Sequence, residues 1–157
     1  MTEARARVRL ARVPGAEDLP LPAPATPGSA GVDLAAAVPE ALLVPPGGRA
    51  LVPTGLRIAV PPGYEAQVRP RSGLALRRGI VLPNSPGTID SDYRGEVQVI
   101  VWNASDEPFR IERGDRIAQL VVAPVARVAW EEAADLDATE RGSGGFGHTG
   151  VGSRGGS

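Results

Sequence analysis

Along this chain, apolar and polar residues alternate in short stretches that are separated by turn-forming residues. Arginines alternate with apolar residues over residues 4–13, and residues 64–69 have the same two-residue period. Such alternation predicts half-exposed strands, because successive side chains of a strand point to opposite faces. Residues 96–102 are nearly apolar on both faces and residues 117–128 are rich in β-branched residues, so both segments are also predicted strands.

Shorter segments between turn signals complete the set of predicted strands. Three of them are short runs at residues 30–38, 80–82 and 109–112. A fourth segment, residues 49–60, is predicted to form two short strands, because Pro53, Thr54 and Gly55 interrupt it. Residues 14–27 are rich in proline and have no periodicity, which predicts a loop.

One segment favours a helix. Residues 72–78 contain good helix formers, Ser72 is the predicted N-cap, and Gly79 suits the C-terminal stop. This helix has only about two turns, so it needs packing against the rest of the fold to be stable. Short strands, turn signals at intervals of roughly 8–12 residues and almost no helix together predict an all-β, jelly-roll-like sandwich.

The composition supports this fold class. The chain has 157 residues, of which 42% are hydrophobic and 22% are charged, as expected for one globular domain. Its 20 glycines and 16 prolines, with only 4% aromatic residues, favour turns and short strands over helical bundles. No apolar stretch approaches the roughly 20 residues of a membrane span, and the N-terminus lacks a signal-peptide core, so we expect a cytoplasmic protein.

Charge and residue types limit the chemistry. A net charge of −1 predicts no general attraction to nucleic acids or anionic membranes, so a phosphate group must be bound by local arginines and backbone amides. The sequence has no cysteine, which excludes disulfides and thiolate chemistry. Zinc hydrolysis and P-loop chemistry are poorly supported, because His148 is the single histidine and the HExxH, CxxC and Walker A patterns are absent.

The segment 83–97 contains the most informative group of polar residues. Asp90 follows an apolar run at the start of a polar turn, and Tyr93 and Arg94 come within the next four residues. This pattern predicts a tight hairpin that holds one carboxylate on a rigid element. Such a carboxylate can orient a water molecule or bind a small polar ligand, although Asp-rich turns without a function have the same pattern.

Two further segments contain groups suited to phosphates. Pro70-Arg71-Ser72-Gly73 precedes the predicted helix, whose first amides favour anions, and Arg71 adds a bidentate donor; a capped surface helix with a solvated arginine is the alternative. Residues 141–150 are rich in glycine and include Arg141 and Phe146. They can bind a ligand through backbone amides and an aromatic ring, or they can be a disordered tail.

Polar groups also occur in two of the predicted strands. Asp33 lies in the strand at residues 30–38, where it can hold a metal ion through water or be a core acid satisfied by local amides. Gly114-Asp115-Arg116-Ile117-Ala118-Gln119 opens the strand at residues 117–128. Arg116 can pair with a carboxylate there, and a structural salt bridge is the simpler explanation.

Taken in order, five segments of this chain resemble the five motifs of the trimeric dUTPase family. They are Ala30-Gly31-Val32-Asp33-Leu34, Pro70-Arg71-Ser72-Gly73-Leu74, Gly87-Thr88-Ile89-Asp90-Ser91-Asp92-Tyr93-Arg94-Gly95, Gly114-Asp115-Arg116-Ile117-Ala118-Gln119-Leu120 and Arg141-Gly142-Ser143-Gly144-Gly145-Phe146-Gly147. The resemblance covers residues 26–150, and five motifs in this order are highly specific. It implies a β-clip type of jelly roll that forms a homotrimer. It further implies a β domain over residues 1–138 and a Gly-rich arm over residues 139–157 that closes a neighbouring subunit's active site.

The resemblance also implies an activity. Enzymes of this family hydrolyse dUTP to dUMP and pyrophosphate with Mg²⁺, which keeps uracil out of DNA and supplies dUMP for thymidylate synthesis. By this resemblance Asp90 orients the water that attacks the α-phosphorus and also contacts the 3′-hydroxyl group of the deoxyribose. Tyr93 packs on the sugar and leaves no room for a 2′-hydroxyl group. Asp33 and Gln119 match residues that hold water ligands of the Mg²⁺ ion.

The remaining matched residues contact the substrate in that family. Those at the base and sugar correspond to Asn84, Gly87, Thr88, Ile89 and Gln98. Those at the phosphates correspond to Arg71, Ser72, Gly73 and Gln119. In the arm, Arg141 matches the γ-phosphate contact, Phe146 matches the ring that stacks on uracil, and Gly144 lies between them.

Two other functions stay open. The dCTP deaminase branch of the same fold, including its bifunctional members, needs a group that activates water at the base, typically a glutamate. The segment around Asp90 and the complete Gly-rich arm favour a plain dUTPase over this branch. A trimer that binds nucleotide without hydrolysing it is the non-enzymatic alternative.

Overall fold

The computed structural model describes residues 6–145, which contain ten strands and one short helix. The elements are β1 Arg9–Arg12, β2 Val32–Ala35, β3 Leu42–Val44, β4 Arg49–Ala59, β5 Tyr64–Arg69, α1 Ser72–Arg78, β6 Ile80–Val81, β7 Gly87–Ile89, β8 Glu96–Asn103, β9 Phe109–Ile111 and β10 Arg116–Pro124. The predicted all-β fold with one short helix is confirmed. Within residues 6–145, no helix is long and apolar enough to cross a membrane.

The strands form two four-stranded sheets and one two-stranded sheet. The first sheet has the order β1-β4-β8-β6, the second β2-β10-β5-β7, and the small sheet pairs β3 with β9; every pairing is antiparallel. Side chains of β8 alternate strictly, with Val97, Val99 and Val101 buried. These valines join residues of both large sheets in one apolar core, as expected for packed antiparallel sheets.

Strand β4 differs from its prediction. It runs unbroken through Pro53, Thr54 and Gly55, although its register against β8 shifts after Pro53. The hydroxyl group of Thr54 donates to the carbonyl oxygen of Val97 at 2.6 Å, and the carbonyl oxygen of Gly55 accepts from the amide of Val13 at 2.8 Å. The prediction of two separate strands was therefore wrong, because these bonds replace the missing ladder bonds and keep the chain extended.

Helix α1 has the predicted bounds but a different cap. Arg71, with φ −92° and ψ 125°, is the N-cap residue, and it makes no side-chain capping bond. Ser72 is already helical, so its prediction as the N-cap was wrong. Gly79 ends the helix as predicted: it has φ 62°, which favours glycine, and its amide donates to the carbonyl oxygen of Ala75 at 3.2 Å.

Strand β10 is shorter than its predicted segment. It ends at Pro124, opposite Tyr64 at the start of β5, whereas the sequence pattern continues to Val128. Beyond Pro124 one more bond forms, from the amide of Val125 to the carbonyl oxygen of Gly63 at 2.9 Å, and the partner chain is then in a turn with Pro61 and Pro62, which have no amide hydrogen to donate. The chain divides into two units, Met1–Arg127 and Val128–Ser157. In the second unit, residues 128–145 form turns and irregular structure only.

A fully buried asparagine joins the small sheet to the first large sheet. The side-chain amide of Asn103 donates to the carbonyl oxygens of Val44 at 3.0 Å and Glu107 at 2.7 Å. Its side-chain oxygen accepts from the amide and the hydroxyl group of Ser105, at 3.0 and 2.7 Å. Because the hydrogen-bonding capacity of a buried amide is expensive to leave unused, this residue fixes the end of β8.

Replacing Asn103 by alanine should therefore destabilise the protein by about 2–4 kcal/mol, because buried groups lose their partners and a small cavity forms. Urea unfolding at one protein concentration measures this change in the free energy of unfolding. Asn84 is exposed, and it provides the matched control. Asn84→Ala should change the free energy of unfolding by less than about 0.5 kcal/mol. Equal effects of the two substitutions would contradict the role given to Asn103.

Candidate active site

Asp90 lies in a connection between the two large sheets. Strand β7, before it, pairs with β5 of the second sheet, whereas β8, after it, pairs with β4 and β6 of the first sheet. The predicted hairpin was therefore wrong, because the two strands do not pair with each other. The connection begins with a turn in which the amide of Tyr93 donates to the carbonyl oxygen of Asp90 at 3.2 Å. Six residues separate the strands, which is enough chain to cross between sheets.

An open cavity of about 190 Å³ lies beside this connection. It is lined by Thr88, Ile89, Asp90, Tyr93, Glu96, Val97 and Gln98. Five of these residues were predicted as site residues. The structure thus brings the end of β7, the connection and the start of β8 together around one cavity.

The ring of Tyr93 is held in place at this cavity. Its hydroxyl group donates to the carbonyl oxygen of Glu96 at 2.9 Å. Gly95 permits this arrangement, since a Cβ atom at that position would lie only 2.5 Å from Cζ of the ring. A fixed aromatic ring beside an exposed carboxylate makes this cavity able to contact both an apolar surface and a polar group of one ligand.

Glu96 was not predicted as a site residue. Its carboxylate oxygen Oε1 accepts from the amide of Gly55 at 2.8 Å, so it supports the irregular part of β4 as well as lining the cavity. The alternation of β8 places the residue next to the turn, but only the pairing with β4 reveals its partner. Gly55 has φ 70°, which favours glycine at this position.

Asn84 lies next to the beginning of β7. Its Nδ2 atom is 2.9 Å from the position that a Cβ atom on Gly87 would take. The absence of a side chain at residue 87 therefore lets the amide of Asn84 approach the strand. Asn84 is exposed and Gly87 is buried.

A second group of polar residues, which we call the Asp33 cluster, consists of Asp33, Arg71, Arg116 and Gln119. One carboxylate oxygen of Asp33 accepts from Nε of Arg71 at 3.0 Å, and the other accepts from Nη1 of Arg116 at 3.3 Å. Nη1 of Arg71 also donates to the carbonyl oxygen of Arg116 at 2.9 Å. The carboxylate of Asp33 is thus paired with two arginines, and the Asp33 side chain is 31% exposed.

Gln119 completes this cluster. It lies directly opposite Asp33 in the pairing of β10 with β2, so both side chains point to the same face of the sheet. Its Nε2 atom donates to the carbonyl oxygen of Pro70 at 2.9 Å, just before Arg71. Its Oε1 atom lies 2.9 Å from the position of a Cβ atom on Gly31, so glycine at that position allows the close approach.

Ser72 and Gly73 directly follow Arg71 in the first turn of α1. Ser72 is exposed and Gly73 is half-buried. The structure therefore brings the predicted phosphate-binding residues and the predicted metal-shell residues together in one place. Backbone amides, guanidinium groups and oxygen acceptors are all available there, which suits a phosphate chain that carries a divalent cation.

The cavity and the Asp33 cluster are at different edges of the second sheet. Asp33 lies on edge strand β2, and Asp90 follows edge strand β7. Three strand spacings across the sheet and about four residues along it put the backbones of Asp33 and Asp90 about 20 Å apart. Within one subunit, the two groups of site residues do not meet.

Of the residues predicted in the C-terminal arm, two are described. Nε of Arg141 donates to the carbonyl oxygen of Gly144 at 2.8 Å, which closes a local turn. Phe146 lies outside the described residues.

Comparison with known proteins identifies the family. The family model named dUTPase matches residues 17–150, a range that includes the cavity and the Asp33 cluster. The chain therefore belongs to the dUTPase family.

Curated relatives resemble the chain over nearly its whole length. Proteins named deoxyuridine 5′-triphosphate nucleotidohydrolase from Anaplasma marginale and Beijerinckia indica are 56% and 57% identical to it. These matches cover 92% and 94% of this chain and 99% and 93% of the relatives.

Solved structures have the same fold. Staphylococcus bacteriophage 80alpha dUTPase, determined with dUpNHpp, has a TM-score of 0.82 and 24% identity, and covers 92% of this chain and 99% of its own. A dUTPase from phage phi11 of S. aureus, described as coordinating a structural Mg(II) ion, has a TM-score of 0.73 and 21% identity, over 82% of this chain and 97% of its own.

Proposed function

We propose that this protein hydrolyses dUTP to dUMP and pyrophosphate. The observation that carries the proposal is that Asp90 is exposed and lines a small cavity together with the fixed ring of Tyr93. Membership of the dUTPase family and relatives with 53–57% identity that are named for this activity support it.

The cavity is the nucleoside end of the proposed site. Ile89 forms an apolar surface, and Thr88 and Gln98 bring backbone groups of two strands to the edge of a base. Asn84 supplies a side-chain amide next to Gly87, and these groups together read the uracil edge. Tyr93 packs against the sugar, where its fixed ring leaves no room for a 2′-hydroxyl group and thereby favours a deoxyribonucleotide.

Asp90 is the catalytic residue of the proposed reaction. Its carboxylate accepts a hydrogen bond from a water molecule and directs the water oxygen at the α-phosphorus. A bond forms between the water oxygen and the α-phosphorus, the bond from that phosphorus to the bridging oxygen of the β-phosphate breaks, and pyrophosphate leaves. The carboxylate takes up the proton of the water. Because phosphoryl transfer depends mainly on positioning and on stabilisation of charge, one aligned carboxylate can serve.

The Asp33 cluster is the phosphate end. Arg71 and the two residues that follow it, Ser72 and Gly73, supply donors for the phosphate oxygens. The described residues contain no group of three or more His, Cys, Asp or Glu side chains able to enclose a metal ion. Asp33 and Gln119 offer oxygen atoms that fit the water ligands of a Mg²⁺ ion carried by the triphosphate. Mg²⁺ would offset negative charge on the phosphates.

We propose that the active enzyme is a homotrimer, because the two ends of the site are too far apart within one subunit. An apolar face next to the cavity supports this assembly. Leu51, Ile100 and Trp102 are 55%, 37% and 39% exposed, Leu51 lies opposite Ile100, and both residues of β8 share a face with Gln98 of the cavity. A second copy that covered this face would be able to bring its own Asp33 cluster to the cavity.

The arm over residues 139–157 is proposed to close the site from a third subunit. Arg141 would contact the γ-phosphate, Phe146 would stack on uracil, and Gly144 would let backbone amides approach the phosphates. Such an arm orders on binding and excludes bulk water, leaving the attacking water molecule in place.

Glu96 does not support the deaminase alternative. This acid lines the cavity, but its Oε1 atom accepts from the amide of Gly55 at 2.8 Å and holds β4. A water-activating glutamate beside the base would need that carboxylate to face the ligand.

Replacing Asp90 by asparagine tests the catalytic step. The variant should keep its fold and its affinity for dUTP, while turnover falls by about 10² or more because a neutral amide cannot take up the proton. Pyrophosphate release measures turnover. Asp92→Asn, which removes another exposed acid of the same connection, is the matched control and should stay within about two-fold of the unmodified enzyme. Unchanged turnover of Asp90→Asn would refute the mechanism.

Mixing two inactive variants tests whether subunits share the site. Asp90→Asn and Arg71→Ala should each be inactive alone. Co-expressed at equal levels, they should regain activity in about a quarter of the sites, since one subunit then supplies Asp90 and its neighbour supplies Arg71. A mixture that stays inactive, while its subunits are seen to exchange by mass spectrometry, would place both residues in sites within single subunits.

Truncation tests the arm. Deleting residues 141–157 should leave the assembly and its thermal unfolding unchanged and reduce dUTP turnover by about 10-fold or more, because the bound substrate loses the contacts of the arm and is open to bulk water. Deleting only residues 151–157, which lie beyond the arm motif, is the control and should leave turnover unchanged. Full activity of the longer deletion would show that the arm does not close the site.

A further inference from the structure

The guanidinium group of Arg113 holds three separate segments of the chain together. Nε and Nη2 donate to the two carboxylate oxygens of Asp18 at 2.9 and 2.6 Å. Nη2 also donates to the carbonyl oxygen of Gly15 at 2.6 Å, and Nη1 donates to those of Ala37 and Val38 at 3.2 and 3.3 Å. All five N–H bonds of the guanidinium are used, which is unusual for a residue that is 30% exposed.

The turn that follows Arg113 leads directly to the Asp33 cluster. The amide of Gly114 donates to the carbonyl oxygen of Ala36 at 2.8 Å, and the carbonyl oxygen of Asp115 accepts from the amide of Ala36 at 2.8 Å. Arg116 comes next, and it contacts Asp33 through its side chain and Arg71 through its carbonyl oxygen. The turn therefore contributes to the position of Arg116, which also lies opposite Ala35 of β2 at the start of β10.

The segment that follows Asp18 lies beside the same cluster. Leu19 is buried, and its Cδ2 atom lies 3.9 Å from the position of a Cβ atom on Gly114. The next residues form a wall of a cavity of about 170 Å³ that Asp33 and Arg116 also line. Arg12 also holds the loop that contains Asp18, since its Nη1 atom donates to the carbonyl oxygens of Ala16 and Leu19 at 2.7 and 2.6 Å.

We propose that the ion pair of Asp18 and Arg113 is a positioning element of the active site. It holds the loop 15–19 and the turn 113–115 in register, and thereby keeps Arg116 against Asp33 so that Arg71 is correctly placed for phosphate. The guanidinium of Arg113 lowers the pKa of the Asp18 carboxyl from its ordinary 3.8 to about 2. The pair is therefore fully ionised at the pH of any activity assay. This inference rests on the proposed function of the Asp33 cluster as the phosphate end of the site.

Replacing Asp18 by asparagine tests the proposal. The variant removes one charge with little change of shape, so the KM for dUTP with Mg²⁺ should rise by about 3–10-fold while kcat stays within about two-fold. The affinity for the analogue dUpNHpp should fall by the same factor as KM rises. Inhibition by deoxyuridine, which has no phosphate, should be unchanged, because the nucleoside cavity does not contact the pair.

Glu112→Gln is the matched control. Glu112 is also an exposed acid in an arginine pair, with Arg110 at 2.8 Å, and it precedes Arg113 directly, but its carboxylate does not contact the loop. This variant should keep the KM and kcat of the unmodified enzyme. Asp18→Glu, which retains the charge, should recover most of the affinity lost in Asp18→Asn.

Three outcomes would overturn the positioning role. The first is an unchanged KM in Asp18→Asn. The second is an equal loss of affinity for dUpNHpp and deoxyuridine, which would indicate general loosening of the fold.

If Asp18→Asn fails to fold, Arg113→Lys serves instead, because it keeps the charge but loses most of the five bonds. It should give the same rise in KM, and the third overturning outcome is an unchanged KM in Arg113→Lys. Failure of the unmodified protein to release pyrophosphate from dUTP would instead refute the proposed function itself.

Discussion

The alternation of inward-pointing and outward-pointing side chains along β8 is the constraint on which most of this structure depends. One face of the strand sends Val97, Val99 and Val101 into the core between the sheets, so the other face must point outwards with Gln98, Ile100 and Trp102. The inner face stabilises the fold by apolar burial. The outer face begins at the candidate cavity and continues as an exposed apolar surface. A shift of one residue in the register of β8 would reverse both faces and remove the core and the cavity together.

Charge is arranged locally in a protein whose net charge is only −1. In the Asp33 cluster one carboxylate faces two guanidinium groups, which leaves an excess of positive charge where a phosphate chain is proposed to bind. Asp90 stands apart from this cluster, at the other edge of the same sheet. Within one chain, Arg71 and Arg116 pair with Asp33 and lie too far from Asp90 to pair with it. This separation is the reason that we propose a site shared between subunits.

Regular features were predictable from the sequence, and irregular ones were not. The bounds of β5 and α1 follow from periodicity and from Gly79, since both signals are local. The continuity of β4 was missed, because the bonds that support Thr54 and Gly55 come from distant residues. The hairpin at Asp90 was wrong for a related reason: alternation on both sides of a turn does not reveal which strands become partners. Of the site, the composition of the cavity followed from the motif, whereas Glu96 and the links of Arg113 did not.

The sequence by itself determined the class of fold, the family and the identity of the proposed site residues, because turn residues, alternation and five ordered motifs are properties of neighbouring positions. Only the tertiary structure decided how these residues are grouped. Strand pairing puts Asp33 and Gln119 side by side and places Asp90 at the opposite edge of that sheet. Outside the strands, an ion pair joins Asp18 to Arg113 across 95 positions of the chain. Such groupings depend on which surfaces can be buried together, and this is decided by packing of the whole chain, not by any local pattern.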